Sequence, residues 1–313
     1  MTSALSQEQL QRFLDHVEFP AFYRDQPLSV ELLTALHVHV ISKLPYENLS
    51  LHYDPAHDVN LDPQHLFKKV VVDNRGRGGF CMEGAILYNH VLRAMGFDAY
   101  TAGARTRLRS EGVPQGNYPG WGHIVNIITF PDGAKYHSDV AFGGDGPTRP
   151  MPLTEGLVHQ NLGTQQVRLA RDWLPSQVHR TEASKQWIYQ YRNSEAAEWN
   201  SFYAFSEVEF MQPDWGVVNY WMCNHRDSNQ VRRMLIVKFL RRRKEGGKGH
   251  EQEIYGKRML VNEVVKENLG GRTATIKACR SEEERVREIR EHFGITLTEE
   301  ERLAIRGRPL SLR

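Results

Sequence analysis

The chain has 313 residues, 40% hydrophobic and 25% charged, which excludes a disordered chain and predicts two or three domains. A formal net charge of +2 argues against a nucleic-acid binder. A mean hydropathy of −0.55, with no apolar run of spanning length, argues against a membrane partner.

Three widely spaced cysteines, Cys81, Cys223 and Cys279, form no CxxC pair, so neither a disulfide framework nor a metal site is expected. The polar start from Met1 to Leu10 lacks a signal-peptide core. Together these features predict a reducing, cytoplasmic location. Nothing in the sequence sets the oligomeric state.

Residues 4–50 read as helices. Ser6 and Gln9 make a capping-box start before Leu10, Phe13, Leu14 and Val17. A second periodic run, Val30 to Ile41, stops near Pro45. His37 and His39 are expected to be solvated or satisfied in the core, and Glu47 and Asn48 to sit in a turn or brace a neighbouring loop. Residues 61–74 continue the helical pattern. From Ala99 the period changes to two, with strands predicted over 100–108, 122–130, 135–142 and 165–169. The segment 110–120 is a Gly- and Pro-rich loop. The aromatic-rich stretch 187–210 reads as further strands. A short helix is expected over 217–224, strands over 234–240, 254–261 and 273–279, and a helix from Ser281 to Phe293 that stops at Gly294. Arg241 to Lys248 is a basic loop, read first as a solvated loop, with attraction of an anionic cofactor as the alternative.

The chemistry concentrates in Arg75 to Glu83. A glycine turn leads into the helical pattern Met82, Ala85, Ile86, Val91, Leu92, which ends at Gly96. Cys81 therefore stands at a helix start, where free N–H groups and the helix dipole favour an anion and bias a thiol toward thiolate. A buried structural cysteine is the competing reading of this stretch. The strands around Pro131-Asp132-Gly133 form a hairpin. If Phe130 pairs with Ala134, Asp139 falls opposite Val125, on the face that also carries His123. Cys81, His123 and Asp139 then make a nucleophile, a base and the group that orients the base. His137 is expected on the opposite face, as the weaker candidate.

Arg77-Gly78-Gly79-Phe80-Cys81-Met82-Glu83 resembles the RGGxCxE signature of the arylamine N-acetyltransferases. Pro45-Tyr46-Glu47-Asn48-Leu49 is similar to their PFENL segment, with Tyr for Phe. His123 with Asn126 resembles their histidine strand, and Asp139-Val140-Ala141-Phe142-Gly143 their DVGFG segment, with Ala141 for its first glycine. That alanine is expected to divert the loop, because it lacks the positive-φ freedom of glycine.

The resemblance implies an α+β fold on a cysteine-protease/transglutaminase-like core. The expected domains are a helical one over 1–98, a central β-barrel over 99–212 and an α/β lid over 213–313. It implies transfer of an acyl group from acyl-coenzyme A to an arylamine, arylhydrazine or N-hydroxyarylamine, by a ping-pong route through a cysteine thioester and in the service of xenobiotic detoxification. Cys81 would be the nucleophile, His123 the base and Asp139 its orienter. Phe142 and Phe80 would line the acceptor pocket, and Gly143, Gly144 and Ser228 would meet the coenzyme. Arg77 and Glu83 are expected to brace the turn. Acetyl-coenzyme A is the expected donor, with malonyl- and propionyl-coenzyme A as alternatives. A transglutaminase-like cysteine hydrolase and a catalytically silent binding protein are the readings from other classes.

Overall fold

The computed structural model describes residues 2–313. Near the N-terminus, the helices Gln7–His16, Val30–Lys43 and Cys81–Ala94 pack their apolar faces together around Phe13, Leu33, Leu36 and Met82. Ser6 and Ser29 cap the first two through the backbone N–H groups of Gln9 and Leu32. Residues 61–74 hold a short helix, Pro63–Phe67, that runs into a π-turn, Lys68–Val72.

An eight-stranded antiparallel sheet follows and curls into a nearly closed barrel. Its central neighbours are Lys135–Ser138, His123–Thr129, Asp98–Thr106, Asn200–Glu209 and Gln186–Arg192. The predicted hairpin has the predicted register. Phe130 N–H donates to the Ala134 carbonyl at 2.8 Å, and Asn126 pairs with Ser138.

Side chains alternate across the strand His123–Thr129. Ile124 and Ile128 face the helix Cys81–Ala94, while Val125 and Ile127 point into the barrel core. Asn126 clamps the helix to this strand, accepting from Asn89 at 2.9 Å and donating to the Ala85 carbonyl at 3.1 Å. The expected strand 135–142 ends early, at Ser138. From Asp139 the chain leaves the sheet, and its backbone is turned by a bond from Ala141 N–H to the Asp139 carboxylate at 3.1 Å.

A second, five-stranded sheet has the order Tyr46–Glu47, Leu235–Arg243, Gln252–Val261, Val264–Asn268, Ala274–Ala278. Its edge strand comes from the N-terminal part of the chain, so Tyr46-Glu47 is not a free turn. The helix Gln212–Asn224 starts before Pro213, which occupies its first turn. Ser281 caps the helix Glu282–Phe293, and Gly294 ends it at φ +73°, as the sequence predicts. The basic loop is the tip of the hairpin between Leu235–Arg243 and Gln252–Val261. Its cations are largely paired: Arg241 with Glu18, Arg242 with Glu253, Lys244 with Glu251 and Lys248 with Glu31. Most of the loop's charge is thus paired at the exposed surface.

Candidate active site

Cys81 opens its helix with its sulfur almost enclosed, 3% exposed, and directed at the Gly122 carbonyl at 3.9 Å. Gly122 immediately precedes His123. The turn before Cys81 allows little side-chain bulk. A Cβ on Gly78 would lie 1.9 Å from the Pro45 carbonyl oxygen, and one on Gly79 2.5 Å from the Glu83 side chain. Beneath the turn lies a buried ionic network. Arg77 bonds Glu47 at 2.9 Å and Glu301 at 2.7 Å, and Lys69 bonds Glu83 at 2.7 Å. Glu83 also accepts from Phe80 N–H at 3.2 Å. Burial works against both inner carboxylates. Arg77 and Lys69 outweigh it at Glu47, which stays below the usual carboxylate range, whereas Glu83 is pushed up. Arg77 and Glu83 thus brace the turn, as expected.

His123 Nε2 lies 2.7 Å from the Asp139 carboxylate, and both side chains are buried. Burial opposes the charge on Asp139, yet the His123 imidazole holds its carboxyl below the ordinary range. For Cys81 the balance runs the other way. Burial pushes the thiol well above its ordinary value and the Asp139 charge adds to this, against the pull of the Met82 and Cys81 N–H groups. Desolvation thus opposes the thiolate bias predicted at the helix start.

His137 corrects a second expectation. Residues two apart on a strand share a face, so His137 points into the barrel with Asp139. Its Nε2 is 2.8 Å from the Tyr203 hydroxyl, its ring stacks on Phe205 at 4.9 Å, and burial lowers its pKa to about 4. Phe142 stands edge-on to His123 at 5.0 Å and is half-buried. Phe80, by contrast, is fully buried in the helical core. Gly143, at φ +94°, faces Tyr46 and Val237, while Gly144 meets Met259 and Lys257 of the second sheet. Ser228 is buried. Its hydroxyl donates to the Met222 carbonyl at 2.5 Å and accepts from Gln230 N–H at 3.2 Å. Ala141 lies outside the positive-φ region, and its methyl fits against Gly84.

Sequence reasoning singled out neither Tyr46 nor Trp121. Tyr46 accepts from the Gln230 amide at 2.7 Å, beside Gly143. Trp121 lies two residues before His123 and meets Phe210 edge-on at 5.2 Å. The Tyr-for-Phe departure was the one available signal for Tyr46. Among the described residues no cluster of His, Cys, Asp and Glu could hold a metal ion.

A family model described as N-acetyltransferase matches residues 29–302. The chain belongs to the arylamine N-acetyltransferase family. Membership makes it an acyl-coenzyme A-dependent N-acyltransferase. Among its relatives is an N-malonyltransferase of Gibberella moniliformis, 30% identical over 308 residues, which span 93% of this chain and 86% of that one. The arylamine N-acetyltransferase of Escherichia coli is 26% identical over 221 residues, spanning 71% of this chain and 69% of that one. The fold matches the structure of Mycobacterium marinum arylamine N-acetyltransferase in complex with CoA, with a TM-score of 0.75 and 23% identity, over 97% of this chain and 100% of that one. The fold is thus the family's α+β architecture: helical domain, barrel and α/β lid.

Proposed function

We propose that this family member moves an acyl group from acyl-coenzyme A to an arylamine, arylhydrazine or N-hydroxyarylamine nitrogen through a thioester on Cys81. The observation that carries the reading is the buried His123–Asp139 pair at 2.7 Å, one residue from the carbonyl that Cys81 contacts. In the first half-reaction His123 takes the thiol proton, and the sulfur attacks the thioester carbonyl carbon. The bond to the coenzyme sulfur breaks, and His123 returns the proton to the departing thiolate. In the second, the amine nitrogen attacks the Cys81 thioester and His123 accepts the amine proton. The Cys81 sulfur leaves and is reprotonated. Asp139 holds the imidazole in place and stabilises its charged form. Free N–H groups in the first turn of the Cys81 helix face the developing oxyanion, where each donor contributes roughly 10²–10³ in rate. Phe142, edge-on to His123, supplies an apolar wall for an aromatic acceptor.

Similarity to an N-malonyltransferase over 93% of the chain sets malonyl-coenzyme A beside acetyl-coenzyme A as the donor. The reading is tested by intact-mass analysis after incubation with each acyl-coenzyme A in the absence of amine. One acyl group, mapped to Cys81 and discharged on adding an aniline, is the expected result. An acyl group on another residue, or none with any donor, overturns the thioester route.

A further inference from the structure

A donor carrying a free carboxylate needs a cation, or a set of hydrogen-bond donors, at its acyl end. The buried cations around the site are already committed. Lys69 pairs with Glu83, Arg77 with Glu47 and Glu301, and Lys257 with Asp145.

Arg105 differs from these. It lies on the strand Asp98–Thr106, one residue beyond Ala104, which pairs with His123. Beyond that pair the ladder is irregular, and Gly122 lies beside the backbone of Ala104 and Arg105. The Gly122 N–H donates to the Ala104 carbonyl at 3.1 Å, and its own carbonyl faces the Cys81 sulfur. Strand alternation puts Arg105 on the face of Thr101 and Gly103, which is covered by Trp215 and Phe210. Cys81 packs in the same cluster as Trp215 and Met222. The Arg105 guanidinium carbon sits 3.8 Å from the centre of the Trp121 ring, and one N–H donates to the Pro119 carbonyl at 2.9 Å. Among the described residues no carboxylate comes within ion-pair distance of it. The side chain is only half-buried. Arg105 thus combines a guanidinium fixed on an aromatic face, with N–H groups free, and a backbone position beside the residue whose carbonyl Cys81 touches.

A malonyl group is an acetyl group with a carboxylate on its methyl carbon. The planar guanidinium fork matches a carboxylate in a bidentate pair, and an aromatic backing orients it at little cost. We infer that Arg105 binds the free carboxylate of a dicarboxylic acyl group and makes malonyl-coenzyme A the preferred donor. The inference rests on the Cys81 thioester reading, and it departs from the acetyl donor expected from sequence.

The test compares kcat/KM for malonyl-, acetyl- and propionyl-coenzyme A with one aniline acceptor, in the wild-type enzyme, Arg105→Gln and Arg105→Lys. The wild type is expected to prefer malonyl-coenzyme A. Arg105→Gln should lower the malonyl-to-acetyl ratio by about ten- to a hundredfold, the range for losing a hydrogen bond to a charged group. Arg105→Lys should recover part of that ratio. A purely structural role would lower all three donors together, so an unchanged ratio in Arg105→Gln overturns the inference. So does a wild-type preference for acetyl- or propionyl-coenzyme A, which needs no variant to fold. The two readings fail separately. If every donor acylates Cys81 at a ratio indifferent to Arg105, only the carboxylate anchor falls. If none acylates Cys81, the thioester route itself falls.

Discussion

At the scale of single residues, His137 on the strand and Asp139 just beyond its end do different work. Asp139 bonds His123, whereas His137 bonds Tyr203 and stacks inside the barrel. Asp139→Asn keeps the shape but replaces the charge that holds the imidazole, so acylation of Cys81 should fall by roughly 10³–10⁴ with folding retained. His137→Ala should leave a cavity in the barrel and cost about 2–4 kcal/mol of stability, with a much smaller loss of acylation rate. Urea unfolding and single-turnover acylation of both variants separate the two effects. Equal losses of rate would mean that His137 shares the orienting role. The face of His137 was legible all along, since residues two apart on a strand cannot oppose one another. The desolvation that raises the Cys81 thiol was not, because it depends on what covers the helix start.

Among elements, the turn before Cys81 shows how turn chemistry positions a thiol at a helix start. Gly78 crosses so close to Pro45 that any side chain meets backbone, and Glu47 N–H bonds the Gly79 carbonyl at 3.0 Å. Gly78→Ala should therefore cost at least about 2–3 kcal/mol, the scale of overpacking that backbone cannot relieve. The loss should appear as a lower urea midpoint at unchanged slope. A variant as stable as the wild type would show that the turn tolerates a shift of Pro45. The hairpin that joins His123 to Asp139 was readable because a Pro-Asp-Gly turn and alternation of side chains together set the register. The edge strand Tyr46–Glu47 was not. Its partner, Leu235–Arg243, lies far along the chain, and nothing local distinguishes such a strand from a turn.

Over the whole molecule, the helical part and the lid are sewn together by polar groups from both. Asn48 donates to the carbonyls of Gln230 and Arg233 and accepts from Leu235 N–H, and Arg77 reaches Glu301. The same burial leaves several histidines uncharged. His37 lies between Ser138 and the Pro147 carbonyl, and burial lowers it, like His137, to about 4. The unfolded chain therefore binds protons between pH 6.5 and 4 that the folded chain refuses. Stability from these groups is complete above about pH 6.5 and falls as pH drops toward 4, by up to about 1.4 kcal/mol per pH unit for each group. Urea unfolding at pH 7.5, 6 and 5 should show a decline that steepens below 6.5. A flat profile would mean that these histidines take up protons without leaving the core. The sequence by itself determined the helix start at Cys81, the hairpin register behind His123 and Asp139, and the order of helices, barrel and lid, because turn residues and side-chain period act between near neighbours. Only the tertiary structure decided that Phe80 is core, that Ser228 caps a helix, that the basic hairpin is paired and that Arg105 rests unpaired on Trp121. Those outcomes depend on which distant surfaces come together and exclude water, and no single stretch of chain encodes that.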